Sequence, residues 1–258
     1  MRIVVPIKAV PDLVEEIELT SDESGIDREF LKFVVSEWDA QALEEALLVK
    51  DACGAEVVAV GLASDPDIDQ ALYTAIAKGA DAAVKLTGGN DESVLTGDRA
   101  ALLAGYLAAE PADLVITGVQ AADDFDGQLP PMLAAHLGQP HVSVVVGVEP
   151  ADGGGVTVRQ EFAGGRVHEL AVRLPAVVGL QAARQAPRYA PITRIRQAMQ
   201  AGGLREVAAE PQPAAPAPVV RRMFRPEQTS HAQMLTGSAD DVAEAIADLL
   251  RGRGLVKG

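Results

Sequence analysis

Leu114-Val-Ile-Thr-Gly-Val-Gln-Ala-Ala-Asp-Asp-Phe-Asp-Gly-Gln-Leu129 is the stretch whose reading decides the fold. A short apolar run, Leu114 to Ile116, leads to Gly118 and then to a polar loop with three acids, Asp123, Asp124 and Asp126. The loop ends at Gly127-Gln128, and Pro130 and Pro131 then precede the apolar Met132-Leu133-Ala134-Ala135. The order reads as strand, loop and helix start, because proline suits a first helical turn whose amides lack intrahelical partners. In an open parallel sheet, ligands sit beyond the carboxyl ends of strands, and the amides of a helix start can hold an anion. An ordinary solvated acidic loop has the same composition.

Upstream, strand and helix alternate. Arg2 to Lys8 is a short apolar strand, broken by Pro11-Asp12. Glu15 to Leu19 alternates and is expected to pair near Ile26 across a Ser/Asp/Gly turn. Ser36-Glu37-Trp38-Asp39 predicts a capping box, with a helix running to about Cys53 and Gly54 ending it. Ala42, Ala46, Val49 and Cys53 share the expected core face of that helix. Trp38, the single tryptophan, reads as a core or interface anchor before it reads as a ligand platform.

Glu56 to Leu62 is a buried strand, and Ser64 or Asp65 is expected to cap the next helix, with Pro66 in its first turn. Ile68, Leu72, Ala75 and Ile76 form the buried stripe of that helix, and Gly79 stops it before a strand from Ala82 to Leu86. A turn at Gly88-Gly-Asn-Asp91 precedes a helix from Val94 to Ala109. Four such alternations predict an α/β fold with a mostly parallel twisted sheet and helices on both faces.

Downstream the pattern changes. Val142 to Val148, Val156 to Phe162 and Val167 to Leu174 are strand-like and joined by glycine turns, which predicts added antiparallel hairpins. Ile192, Ile195 and Met199 share a helix face, and Glu206 to Val219, rich in Pro and Ala, reads as an extended linker. Ser238 then caps a last helix, Ala239 to Leu250, with Val242, Ile246 and Leu249 on one side. The expected organisation is an α/β domain over 1–205, a linker over 206–221 and a C-terminal arm over 222–258.

Composition narrows the function. The net charge of -15 over 258 residues argues against nucleic acid and anionic membranes as partners. Aromatics at 3% argue against base stacking as a main activity. The single cysteine, Cys53, excludes an intrachain disulfide and reads as a small apolar residue. No apolar run approaches the ~20 residues of a membrane span, so no direct membrane insertion is expected. Met1-Arg-Ile-Val-Val-Pro6 enters a strand without a signal-peptide pattern, and the expected location is cytoplasmic.

Several chemistries are missing. No Walker-type phosphate loop occurs, and no Gly-x-Gly-x-x-Gly follows the first strand. His136, His141, His168 and His231 lack metal-ligand spacing. A calcium-hand frame ending at Asp126-Gly127 places Leu133 where Glu is required. No nucleophile, base and orienting acid assemble from local motifs.

Five ordered motifs carry a resemblance. They are Lys8-x-Val-Pro-Asp12, the helix through Glu44-Glu45-Ala46, Ala77-x-Gly-Ala-Asp81, the loop Gly118-x-Gln-Ala-x-Asp123 with Gln128, and Gln160-Glu-Phe-Ala-Gly-Gly165 with Leu174-Pro-Ala-Val-Val178. Together they resemble the electron transfer flavoprotein beta subunit, as a divergent member, over nearly the whole chain. The resemblance implies a Rossmann-like, adenine nucleotide alpha hydrolase-like scaffold and a heterodimer with an alpha subunit that carries the redox-active FAD. It implies a second adenine nucleotide in this chain: AMP, or a second FAD in bifurcating members. Electrons are expected from a flavin dehydrogenase and to pass to a quinone-linked or other acceptor, without bond chemistry of the chain's own.

The contacts carried over are Pro6, Ser36, Glu37, Trp38, Asp39, Leu62, and the loop Gly118, Val119, Gln120, Ala121, Ala122, Asp123, Asp124, Phe125, Asp126, Gly127, Gln128 and Leu129. Arg188, Tyr189 and Ile192, in Pro187-Arg-Tyr-Ala-Pro-Ile192, match the partner-recognition segment. Three departures stand out: Ser36-Glu37 replaces the family's Asn-Pro, Phe125 stands at an acid position, and Pro130 removes a potential phosphate donor. A stand-alone nucleotide-binding enzyme or sensor on the same scaffold is the alternative.

Overall fold

Four of the five residues of the first strand, Arg2–Pro6, are buried, as happens where a strand is covered on both faces. The computed structural model describes residues 1–88, 95–124, 127–213, 220–226 and 232–256. The first half of the chain gives β1 (Arg2–Pro6), β2 (Ala9–Pro11), β3 (Phe33–Val35), α1 (Glu37–Cys53), β4 (Glu56–Leu62), α2 (Ile68–Lys78), β5 (Ala82–Thr87), α3 (Thr96–Ala109), β6 (Leu114–Gly118) and α4 (Leu129–Leu137). The second half gives β7 (His141–Ala151), β8 (Gly155–Phe162), β9 (Arg166–Val172), β10 (Ala176–Leu180), α5 (Ile192–Ala201), β11 (Leu204–Ala208) and α6 (Ala239–Gly252).

Among the described residues, nine strands form one sheet in the order β11-β5-β4-β1-β6-β10-β7-β8-β9. Pairing is parallel from β11 to β7, and β7, β8 and β9 add an antiparallel edge. The predicted α/β class and the added hairpins are what the structure has. Side chains of successive strand residues point to opposite faces. Ile3 and Val5 therefore join the core under α1 and α2, while Val4 joins the core under α3 and α4.

Some local expectations fail for identifiable reasons. The Glu15–Leu19 stretch does pair near Ile26, through the bridge from Leu19 to Ile26, but it forms no named strand, and the two-stranded ribbon is β2 against β3. Cys53 is exposed, as are Asp51, Ala52 and Gly54 beside it at the end of α1. The N-cap of α2 is Asp67, in a left-handed conformation, rather than Ser64 or Asp65, because Asp65 is turned inward to Arg99. Ile76 packs on the core only partly buried. Of the Gly88–Asp91 turn and the Val94 helix start, residues 89–94 lie outside the described residues.

The stretch read as a linker begins inside β11, whose residues Glu206 to Ala208 pair with β5. Ala209 is buried, and the Gln212 amide donates to the Ala101 carbonyl at 3.0 Å. A sheet edge fixes the start of this stretch, and residues 214–219 lie outside the described residues. Beyond it, Arg222 pairs with Glu23 at 2.5 Å and Arg225 with Glu16 at 2.8 Å, so residues 220–226 dock on the loop between β2 and β3. Helix α6 has no buried residue. Among the described residues, no helix is long and apolar enough to cross a membrane.

Candidate functional site

The carboxyl ends of β1 and β6 lie side by side, because these strands pair in parallel register. The loops that leave them meet the first turn of α1 and the start of α3. Pro6, Ile7, Lys8, Asp39, Thr96, Arg99, Gly118, Gln120, Ala121, Asp124 and Leu129 line one pocket there. The site therefore stands where an open parallel sheet places its ligands.

Asp39 is the keystone of this pocket. Its Oδ2 accepts from the Lys8 amide at 2.9 Å and its Oδ1 from the Gly118 amide at 3.1 Å. One buried carboxylate thus ties the ends of two strands to the start of α1. Burial pushes its pKa up to about 7, against the two amides and the Arg99 charge, which favour the ionised form. The predicted capping box of α1 does not form: Ser36 makes no side-chain cap bond, and its buried Oγ has no hydrogen-bond partner among the described residues. Asp39 is unavailable for it because both its oxygens are taken by other loops. Gly118 makes this contact possible, since a Cβ there would stand 2.5 Å from Asp39 Oδ1 and 2.8 Å from Trp38 Cβ.

Lys8 closes the pocket from above. Its Nζ lies 2.6 Å from Asp123 and 3.0 Å from Asp124, and Asp124 also accepts from the Ala121 amide at 2.8 Å. Below, Arg99 forms a buried two-pronged pair with Asp65 at 2.9 and 2.5 Å. Burial works against the Arg99 charge, but Asp65, with Asp39 and Asp124 farther off, keeps its pKa above the ordinary value. Both cations are thus already matched by carboxylates of the chain. A ligand at this site therefore meets neither cation as a free positive charge.

Of the expected residues, Pro6, Asp39, Gly118, Gln120, Ala121, Asp124 and Leu129 line the pocket. Asp123 joins through Lys8, and Gly127 lies against Gln120 in a left-handed conformation. Trp38 is half-buried and packs beside Gly118, Val119 is half-buried, and Glu37, Ala122 and Gln128 are exposed at the rim. Leu62 is fully buried in the core on the α3 side and is not among the residues that line the pocket. Phe125 and Asp126 lie outside the described residues. Pro130 is buried at the start of α4 and faces Gly179, where a Cβ would come within 2.8 Å of its ring.

From sequence Lys8 is a motif residue and Asp65 a candidate helix cap, and neither they nor Thr96 and Arg99 are expected at the site. Arg99 carried a signal: it is a charge directly before the apolar run Ala100-Ala101-Leu102-Leu103. A cation in such a place needs an anion, and the nearest acid on a neighbouring loop is Asp65.

The recognition-like segment sits elsewhere, against α1 and α2. Tyr189 and Ile192 are 81% and 62% exposed, and Arg188 is bound to Glu44 and Asp51 of α1. Ile192, Ile195 and Met199 do share a face of α5, but no residue of α5 is buried, so that face is not core.

Comparison with known proteins agrees with this architecture. The family model described as "Electron transfer flavoprotein domain" matches residues 25–221. The electron transfer flavoprotein subunit beta of Methylophilus methylotrophus is 30% identical, with 97% of this chain and 98% of the relative covered. That of Clostridium acetobutylicum is 34% identical, covering 76% of this chain and 74% of the relative. The mitochondrial subunit beta of Arabidopsis thaliana is 34% identical, covering 77% and 78%.

Proposed function

The chain belongs to the electron transfer flavoprotein family, among its beta subunits, and on that premise we propose how it serves electron transfer. It pairs with an electron transfer flavoprotein alpha subunit that carries most of the FAD site. The heterodimer takes electrons from a flavin dehydrogenase and passes them to a quinone-linked or other acceptor. The chain does no bond chemistry of its own and works in the cytoplasm.

The pocket between β1, β6 and α1 holds an adenine nucleotide, either AMP or the adenine end of a second FAD. The observation that carries this reading is the assembly around Asp39. Two strand ends, a helix start and a glycine that admits no Cβ converge on one buried carboxylate. The donors and acceptors fit an adenine nucleotide. Thr96 brings a buried polar side chain to the pocket, beside the backbone of Gly118, Gln120, Ala121 and Leu129. A bound AMP would act as structural filling, and a bound FAD would supply a second one- or two-electron centre. In either case Lys8, Asp123 and Asp124 hold the loop over the ligand, and Gly118 lets Asp39 and the start of α1 pack against the end of β6.

The test is to co-express the chain with its alpha subunit, denature the complex and quantify released nucleotide. One FAD and one AMP per heterodimer is expected of a simple carrier. Two FAD would place a second flavin in this pocket. One FAD alone would make the pocket vestigial. ATP turnover by the chain alone, with no alpha subunit bound, would replace the reading by the stand-alone enzyme.

A further inference from the structure

We infer that Glu44 and Arg188 are positioning residues for the surface formed by Tyr189 and Ile192. The inference rests on the reading of that surface as the contact with a redox partner.

Glu44 lies on α1, one turn past the nucleotide-site residue Asp39, and is buried. A buried carboxylate is costly unless its oxygens are matched. Among the described residues its hydrogen bonds all come from Arg188, with the Lys78 charge nearby. The Arg188 amide donates to Oε2 at 2.8 Å, the Arg188 Nε donates to the same oxygen at 3.0 Å, and Nη2 lies 3.0 Å from Oε1. Arg188 Nη2 also reaches Asp51, two turns further along α1, at 3.0 Å. Backbone and side chain of Arg188 are therefore both held on a rigid helix.

The fixed point is placed to matter. The next residue, Tyr189, is the most exposed aromatic near it, Ala190 is buried, and Pro191 is the N-cap of α5. Ile192, Tyr189 and Met199 stand out into solvent among the described residues. Arg184 repeats the device four residues earlier: its amide and Nε donate to Glu45 at 2.9 and 2.7 Å. Glu45 anchors the incoming chain, and Glu44 sets the angle at which the exposed residues leave it. Arg188 acts here through Tyr189 and Ile192, rather than as a contact itself.

The experiment uses the flavin-loaded heterodimer with its alpha subunit. Glu44→Gln keeps the shape and removes the charge, and Arg188→Lys keeps the charge and removes the fork. In both, amide exchange across residues 189–195 is expected to rise at least ~10-fold, while exchange in β1, β4 and β6 and the bound nucleotides stay as in the parent. With the flavin dehydrogenase that reduces the parent, KM for the heterodimer is expected to rise ~10-fold with kcat within about twofold. Reduction by dithionite, which needs no docking surface, should not change. Unchanged exchange in both variants overturns the inference. So does an unchanged KM when Ile192→Ala raises it. If Ile192→Ala itself leaves KM unchanged, the partner reading of this surface fails first, and the inference fails with it.

Discussion

The first and last helices begin with the same four-residue pattern and do opposite things with it. Ser36-Glu-Trp-Asp39 opens α1, and Ser238-Ala-Asp-Asp241 opens α6. At α6 the capping box forms: Ser238 Oγ accepts from the Asp241 amide at 3.3 Å, and the Ser238 amide donates to Asp241 at 2.9 Å. At α1 the box is absent, and Asp39 serves two neighbouring strands instead. The difference is burial. No residue of α6 is buried, so local hydrogen bonds decide its ends. Helix α1 is buried at Asp39, Glu44 and Glu45 as well as at its apolar residues. Tertiary partners outbid the local cap where water is excluded, because an unmatched buried amide costs more than a missing surface cap.

The largest expected effect comes from breaking what α1 holds in the interior. Glu45 is fully buried and accepts from the Val148 amide at 2.6 Å as well as from Arg184. Glu45→Ala should cost about 3–5 kcal/mol, the usual range for removing one partner of a buried pair. The check is a shift of the urea midpoint at unchanged slope. An effect below about 1 kcal/mol would mean that α1 is held by its apolar face alone, and that its acids are not the distinction from α6.

Asp39 gives a smaller effect with a pH signature. Asp39→Asn should cost about 1–3 kcal/mol, since its amide group cannot accept from both the Lys8 and Gly118 amides. The parent should also become less stable as pH rises from about 4 to about 7. In that window the folded state, with the Asp39 pKa pushed up to about 7, binds a proton that the unfolded chain has lost. Above about 7 this contribution is flat. The difference between parent and variant, followed by urea unfolding against pH, should carry that slope. A difference that does not change with pH would show that the two amides keep Asp39 ionised throughout.

The contrast between the helices also explains what was legible in the sequence. The parallel sheet could be read because burial on both faces imposes apolar runs such as Val57 to Val60, and helices between them have a period. The loop after β6 was visible because its glycines, acids and prolines stand together. The partners of that loop were not visible, since Lys8, Arg99 and Asp65 come from three distant segments and each looks ordinary alone. Strand β10 was hidden for another reason. Its Ala-Val-Val-Gly-Leu run has no alternation and no turn of its own, and only the insertion between β6 and β7 makes it a strand. Likewise β11 begins the Pro/Ala-rich stretch, whose composition reports extension but not the β5 edge it adds to.

The smallest expected effect is at α6, and it sharpens the comparison most. Hydrogen bonds from Ser238 hold the Asp241 carboxyl below the ordinary aspartate range. A depressed folded pKa gives a contribution that is present above the unfolded value and lost as pH falls through the folded one. Helix α6 should therefore fray at its first turn as the solution is taken below about pH 4. Ser238→Ala should produce the same fraying at neutral pH. Amide exchange over 239–245 reads both, several-fold faster in each case, while the urea midpoint of the sheet stays where it was. A shift of that midpoint would mean that α6 packs on its own domain. Its unchanged value, with slowed exchange when the alpha subunit is added, would mean that the apolar side of Ile246 and Leu249 is made for another chain.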